Sequence, residues 1–360
     1  MAALFDPFTI RDVTLPNRVW MAPMCQYSAP VTGEPVDWHV QHYGARATGG
    51  PGLILVEATG VSPEGRISHA DLGIWSSEQV AGHRRLTALM AAQGVVPGIQ
   101  LAHAGRKGGT AKEFEGGRVL PLDEGGWQVV GPSEVAFDET RPVPHALTAG
   151  ELDGVVADFA AAARRAVDAG YQVIEVHAAH GYLIHEFLSP LSNRRDDSYG
   201  GSFDNRVRLA RRVVAAVRAE IGPGLPLFVR VSATDWVEPE GWTADDTVRL
   251  SALLREDGAD LIHVSTGGNV PAATIPVGPG YQVEFAERIR RETGLPTAAV
   301  GVITDPHQAE KILTEGQADA VALGRQLLVD PFWPRRAALE LGADHPLPPQ
   351  YARAARALHP

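Results

Sequence analysis

Two kinds of apolar patterning alternate along this chain. Short, nearly uninterrupted apolar runs occur at residues 19–22, 53–58, 95–101, 173–177, 227–232, 261–265, 297–300 and 320–323. Runs of this length, with little polar alternation, read as parallel strands covered on both faces. Between them lie longer stretches with apolar residues at helical spacing, at 36–48, 77–93, 148–169, 202–221, 243–257, 281–293, 305–316 and 331–341. Thr148-Ala149-Gly150-Glu151 fits a capping box at one helix start. Eight strand–helix units with no compositional shift between halves predict one α/β domain, a (β/α)8 barrel, and not an open two-layer sheet. Within residues 4–18, two short apolar pieces predict a hairpin that closes the barrel bottom. Residues 105–147 break the rhythm with glycine, proline and charge, and predict a lid over the strand ends. The barrel is thus expected to span 1–345. Residues 346–360, with Pro346, Pro348 and Pro349, predict an extended tail before a short basic helix.

Composition narrows the function. A net charge of −11 argues against nucleic acid or an anionic membrane as partner. The lone cysteine, Cys25, excludes an internal disulfide, an all-cysteine zinc site and an iron–sulfur cluster held by four thiolates of one chain. The first 18 residues mix acidic, basic and proline residues, which predicts no signal peptide. No run of about 18 apolar residues suggests a membrane span. The expectation is a cytoplasmic enzyme.

The densest chemistry lies at 173–182. An apolar strand ends at His177, and His180 and Tyr182 follow within five residues. In a parallel barrel the C-terminal strand ends carry the active site, so two imidazoles and a phenol converge there. An HxxH pair can also bind zinc, but no HExxH helix or nearby third ligand accompanies it. Strands seven and eight end in Val300-Gly301 and Gly324-Arg325, where barrels commonly bind phosphate. Glycine lets backbone N–H groups approach phosphate oxygens, and arginine adds a charge-assisted fork. The phosphate could belong to a sugar phosphate or to flavin mononucleotide. No GxGxxG opens a βαβ unit, which argues against a Rossmann site. Lys107, in a glycine-rich turn after strand three, is a Schiff-base candidate in principle and is expected to be solvated. Glu175 shares a strand face with His177 and is a candidate partner for the strand-five arginine, Arg230.

Taken together and in order, these segments resemble the Old Yellow Enzyme family. The match runs through Ala22-Pro-Met-Cys-Gln-Tyr-Ser28, Gln100-Leu-Ala-His-Ala-Gly-Arg-Lys107, His177-Ala-Ala-His-Gly-Tyr182, His185-Glu-Phe-Leu-Ser-Pro-Leu-Ser-Asn193, Arg206, Phe228-Val-Arg-Val-Ser232, Val300-Gly301 and Gly324-Arg325. Cys25 with Tyr27, and the tail Gln350-Tyr351-Ala352-Arg353, resemble its thermophilic-like class, of the xenobiotic reductase A type. The resemblance implies noncovalent FMN at the barrel top. Pro23, Met24 and Cys25 would line the flavin ring, Ala58 and Gln100 would bond its pyrimidine side, and Arg230 would place a cation near N1 and O2. Gly301, Gly324 and Arg325 would hold its phosphate. His177 and His180 would bind the oxyanion of an activated alkene, and Tyr182 would donate the proton. Tyr27 and Lys107 would line the substrate pocket. Arg353 would reach in from a neighbouring subunit of a homodimer or a dimer of dimers. NADPH or NADH would be the reductant, with Arg118 and Arg141 in the lid as candidate readers of the nucleotide. Rival readings are a metal-dependent hydrolase using His177 and His180, and a flavin-binding redox sensor without turnover.

Overall fold

The computed structural model describes residues 2–354. Eight parallel strands close into a barrel in chain order: β1 (Val19–Met21), β2 (Leu53–Gly60), β3 (Val96–Ala102), β4 (Val173–Ala178), β5 (Leu227–Ser232), β6 (Leu261–Ser265), β7 (Thr297–Ala299) and β8 (Ala320–Leu323). The crossover helices are α1 (Asp37–Gly49), α2 (Val80–Ala92), α3 (Ala149–Asp168), α4 (Arg208–Ile221), α5 (Ala244–Glu256), α6 (Val283–Thr293), α7 (Pro306–Thr314) and α8 (Trp333–Glu340). The strand and helix periodicities therefore translate directly into the eight-unit barrel. Thr148 caps α3 as expected, its hydroxyl accepting from the Glu151 amide while the Glu151 carboxylate accepts from the Thr148 amide.

The barrel interior is split by polarity. At the bottom, Trp20, Leu53, Leu55, Val96, Val173, Phe228 and Leu261 form an apolar plug. Trp20 stacks on Phe228 with ring centroids 5.6 Å apart. The predicted hairpin is present, pairing Phe8–Ile10 with Val13–Leu15, and its Ile10, Val13 and Leu15 seal the plug from below. Toward the top the inward positions turn polar, with Gln100, Glu175, His177, Arg230 and His263 all buried. This apolar plug below, one of two core clusters, thus supports an ionisable layer above.

Three helical stretches depart from the sequence reading. The stretch 202–221 is two helices, Phe203–Arg206 and α4, meeting at Val207. The stretch 77–93 begins as a 3-10 turn, Ser77–Gln79, before α2. Helix α6 starts at Val283, not at residue 281, because Gln282 turns its side chain inward to accept from Thr266 and donate to the Val300 carbonyl. The 105–147 insertion carries three 3-10 turns and a two-residue pairing of Val130–Gly131 with His145–Ala146. The tail turns into a 3-10 segment, Pro349–Ala354, with Tyr351 and Arg353 exposed. The short basic helix expected at the very end falls largely on residues 355–360, outside the described residues.

Because the hairpin completes the core, Leu15→Ala should act as a core truncation. A loss of about 2–5 kcal/mol is expected in chemical denaturation, the range for a buried Leu→Ala. A change below about 0.5 kcal/mol, ordinary for surface positions, would show the hairpin to be an appendage.

Candidate active site

The loop after β1 is shaped from below by a buried acid. Strand β2 bulges between Val56 and Ala58, and this sets Ala58 opposite Gln100. Glu57, between them, accepts from the Gln26 amide at 2.7 Å and from the Tyr43 hydroxyl at 3.0 Å. Burial pushes its carboxyl up to about 8, against the lowering pull of those donors. Glu57 thereby fixes the turn carrying Cys25 and Tyr27, and Tyr27 takes a left-handed φ of 50° there. Burial, with Asp71 and Glu57 nearby, pushes the Cys25 thiol up, so it is a neutral thiol at pH 7. Glu57 has no role in the sequence reading. An acid in an otherwise apolar run was the available signal.

The next layer is a buried carboxylate bridge. Glu175 accepts from Gln100 Nε2 at 2.7 Å and contacts His263 Nδ1 at 2.7 Å. The expected pairing of Glu175 with Arg230 is not what forms. In register, Arg230 lies beside His177 on one side and His263 on the other, and Glu175 lies beside Phe228. Among the described residues Arg230 makes no salt bridge, and its buried Nε has no hydrogen-bond partner. Burial lowers the Arg230 pKa, partly offset by the Glu175 charge. With Nε2 of Gln100 committed to Glu175, the Gln100 carbonyl oxygen is left as an acceptor.

His177, His180 and Tyr182 come together as expected. His177 lies 5.2 Å from His180 and 5.1 Å from Tyr182, ring centroid to centroid, both edge-on. Burial first, then the Arg230 charge, drives both imidazoles well below their ordinary pKa, so both are neutral. Their hydrogen bonds suggest the tautomers. The Ala179 amide donates to His177 Nδ1 at 3.3 Å, which leaves Nε2–H free to donate. His180 Nε2 is 2.8 Å from Ser265 Oγ. Ser265 Oγ also donates to the Gln282 oxygen at 3.4 Å, which accepts from Thr266 at 2.7 Å as well. Where the Ser265 hydroxyl donates to His180 Nε2 instead, the neutral ring presents Nδ1–H. Burial raises the Tyr182 phenol, which is protonated at neutral pH. No group of three His, Cys, Asp or Glu side chains is arranged to hold a metal among the described residues.

Beside this cluster, a cavity of about 550 Å³ opens at the ends of β6 to β8, lined by Ser265, Tyr281, Gln282, Gly301, Gly324 and Arg325. Gly301 has φ 131°, and a Cβ there would sit 2.9 Å from Gln282 Nε2. Glycine is needed to keep that wall thin. Gln282 and Ser265 were missed in the sequence, since neither belongs to an ionisable or glycine-rich pattern.

Lys107 is half-buried and tethered rather than freely solvated. Its Nζ donates to the His180 and Gly268 carbonyls, each at 2.9 Å, and lies 5.2 Å from the Tyr182 ring centre. Burial, with Arg141 next in strength, lowers it to about 8. It is a cation at pH 7 and loses its charge as pH rises through about 8. Arg353, by contrast, lies exposed on the surface. Reductive methylation with carbon-13 formaldehyde should give a Lys107 signal titrating near 8, distinct from Lys112 and Lys311. A midpoint near the ordinary value of about 10.4 would mean a solvated amine.

Residues 3–343 match the model of the NADH:flavin oxidoreductase / NADH oxidase family. The chain is 51% identical to an NADPH dehydrogenase of Geobacillus thermodenitrificans, over 97% of this chain and 98% of the relative. Its fold is similar to that of an old yellow enzyme homologue from Zymomonas mobilis, with a TM-score of 0.80 at 30% identity, covering 96% of this chain and 94% of the other. Morphinone reductase is similar too, with a TM-score of 0.78 at 31% identity, covering 96% and 92%. A match that runs through the barrel, the lid and the clustered histidines places the chain in the NADH:flavin oxidoreductase / NADH oxidase family, the FMN- and NAD(P)H-dependent enzymes of old yellow enzyme type.

Proposed function

We propose that this enzyme reduces activated C=C bonds of α,β-unsaturated carbonyls, nitroalkenes and maleimides, with NAD(P)H as the electron source. The observation that carries this reading is the convergence of two neutral imidazoles on a protonated phenol. Two neutral donors favour an oxygen that gains negative charge during reaction. A protonated phenol suits delivery of a proton to carbon at neutral pH. Neither feature serves a hydrolase that needs a metal-bound water.

The residues fit FMN. The unpaired Arg230 Nε suits an electron-rich edge such as flavin N1 and O2, and the free Gln100 oxygen suits a ring N–H on the pyrimidine side. Ala58 sits beside Gln100, and Pro23, Met24 and Cys25 form the adjoining turn. The cavity at Gly301, Gly324 and Arg325 suits the phosphate end. When bound and reduced, FMN supplies the hydride. His177 Nε2–H and His180 Nδ1–H then hold the electron-withdrawing oxygen, and Tyr182 gives its proton to the neighbouring carbon. Tyr27 and Lys107 bound the substrate space. The tail is proposed to act across a homodimer or a dimer of dimers, with Arg353 entering the neighbour's pocket. Deleting residues 350–360 should then weaken association in analytical ultracentrifugation and raise KM. An unchanged oligomer with unchanged KM would retire the idea.

Rapid-reaction kinetics on the purified yellow protein test the chemistry. His177→Ala should slow cyclohexenone reduction on the order of a hundredfold, the scale of losing an oxyanion donor, while reduction by NADPH persists. Tyr182→Phe should slow the same half-reaction by about tenfold or more but spare nitroalkenes, whose anionic products need no immediate proton. Equal rates for wild type and both variants with every alkene would discard the assignment.

A further inference from the structure

The turn from His180 to Tyr182 is an unusual one to hold still. His180 and Gly181 both take left-handed backbone, at φ 60° and 71°. Such geometry is costly for a histidine and persists only where the surroundings impose it. Several contacts do so. The Ser232 hydroxyl accepts from the His180 amide at 3.0 Å, and Lys107 takes the His180 carbonyl. A Cβ at Gly181 would lie 2.2 Å from the Gly268 carbonyl oxygen, so the chain is pressed against the loop after β6. Within the turn, the Gly181 amide donates to His185 Nδ1 at 2.9 Å, and the Tyr182 amide to the Ala179 carbonyl at 3.2 Å.

His185 plays no part in the chemistry proposed above, and it is completely buried. Because Nδ1 accepts, a neutral ring must carry its proton on Nε2. Nε2 lies 3.1 Å from Asp235 Oδ1, bent off the ideal hydrogen-bond line, and neither atom has a hydrogen-bond partner among the described residues. Asp235 is itself fully buried and pinned by its other oxygen, which accepts from Ser189 Oγ at 2.5 Å and from the Trp242 amide at 2.9 Å. Burial acts to raise Asp235, yet His185, Ser189 and Trp242 together hold it below the usual carboxylate range.

We infer that His185 and Asp235 form a positioning dyad for the proton donor: Asp235 fixes the Nε2–H tautomer of His185, and His185 Nδ1 then locks the Gly181 amide, which sets where His180 and Tyr182 point. The dyad touches neither substrate nor cofactor. It rests on the reading that His180 and Tyr182 act on the alkene, and it adds residues that the cluster itself does not reveal. The logic resembles that of a carboxylate that orients a catalytic imidazole, moved one step back so that the imidazole orients a backbone turn.

The test separates this idea from the reading beneath it. Nitrogen-15 histidine spectra of the wild-type holoenzyme should show His185 unprotonated at Nδ1 and protonated at Nε2. A ring protonated at Nδ1 overturns the dyad whatever the enzyme's substrate. His185→Asn keeps an acceptor near Nδ1 but cannot reach Asp235, and His185→Phe removes both. In His185→Phe, affinity for an added phenol, whose oxygen would sit on His177 and His180 in place of the substrate oxygen, and the cyclohexenone half-reaction should each fall by about tenfold, the scale of one lost buried hydrogen bond, with FMN content and reduction by NADPH within about twofold. His185→Asn should recover part of the loss. Wild-type phenol affinity in a folded His185→Phe protein would overturn the proposal. If His185→Phe does not fold, the wild-type tautomer alone decides. If Tyr182→Phe proves silent with every alkene, the functional reading fails, while the tautomer and phenol affinity still judge the dyad.

Discussion

A carboxylate inside a closed barrel has no water to turn to, and the upper half of this protein is arranged around that fact. Glu175 is fully buried and is satisfied by Gln100 on one side and His263 on the other. Its charge, near Arg230 without touching it, leaves a cation whose Nε is free to serve something outside the protein. That cation in turn helps to keep His177 and His180 neutral, which makes them donors with one proton each. Removing one partner of such a layer strands the others, since unpaired buried charge is costly. The apolar plug beneath is what makes the arrangement affordable, because it fixes the strands at their other end.

The fold was largely legible. Uninterrupted apolar runs separated by helical periodicity can be satisfied in few ways, and the barrel follows from counting them. Boundaries moved where a side chain had work to do: Gln282 left its helix to bond Thr266 and the Val300 carbonyl. The site was legible where it used residues that stand out in an apolar context, as His177, His180 and Tyr182 do. It was illegible where a contact depends on register. Glu175 and Arg230 share an interior, but strand stagger sets Arg230 between His177 and His263, a relation invisible until strands are aligned. Lys107 was misread for a related reason: a lysine in a glycine-rich turn looks solvated until the carbonyls of two distant loops are seen to enclose it.

The supports of the site also differ in kind. Glu57 works through a bulge, displacing itself from the ladder so that its carboxyl group can hold the loop bearing Cys25. His185 works through a tautomer, and Gly301 through the absence of a side chain. None of these groups needs to meet the substrate to decide how it is met.

The root of the insertion after β3 bears on how such enzymes exchange parts. Arg106 is buried where the lid leaves the barrel. Its guanidinium reaches the Val135 carbonyl at 3.0 Å within the lid and the Asn269 carbonyl at 2.8 Å beyond β6, while its amide donates to Glu186 at 2.9 Å. Together with Arg195, which donates to the Pro132 and Leu147 carbonyls from the other side, this side chain stitches the lid to the scaffold. Grafting a foreign lid at residues 105 and 147 would import a segment cut from half its anchorage. Chimeras that carry Arg106, Glu186 and Asn269 across as a set would preserve the joint, and recombination breakpoints inside that trio would be selected against.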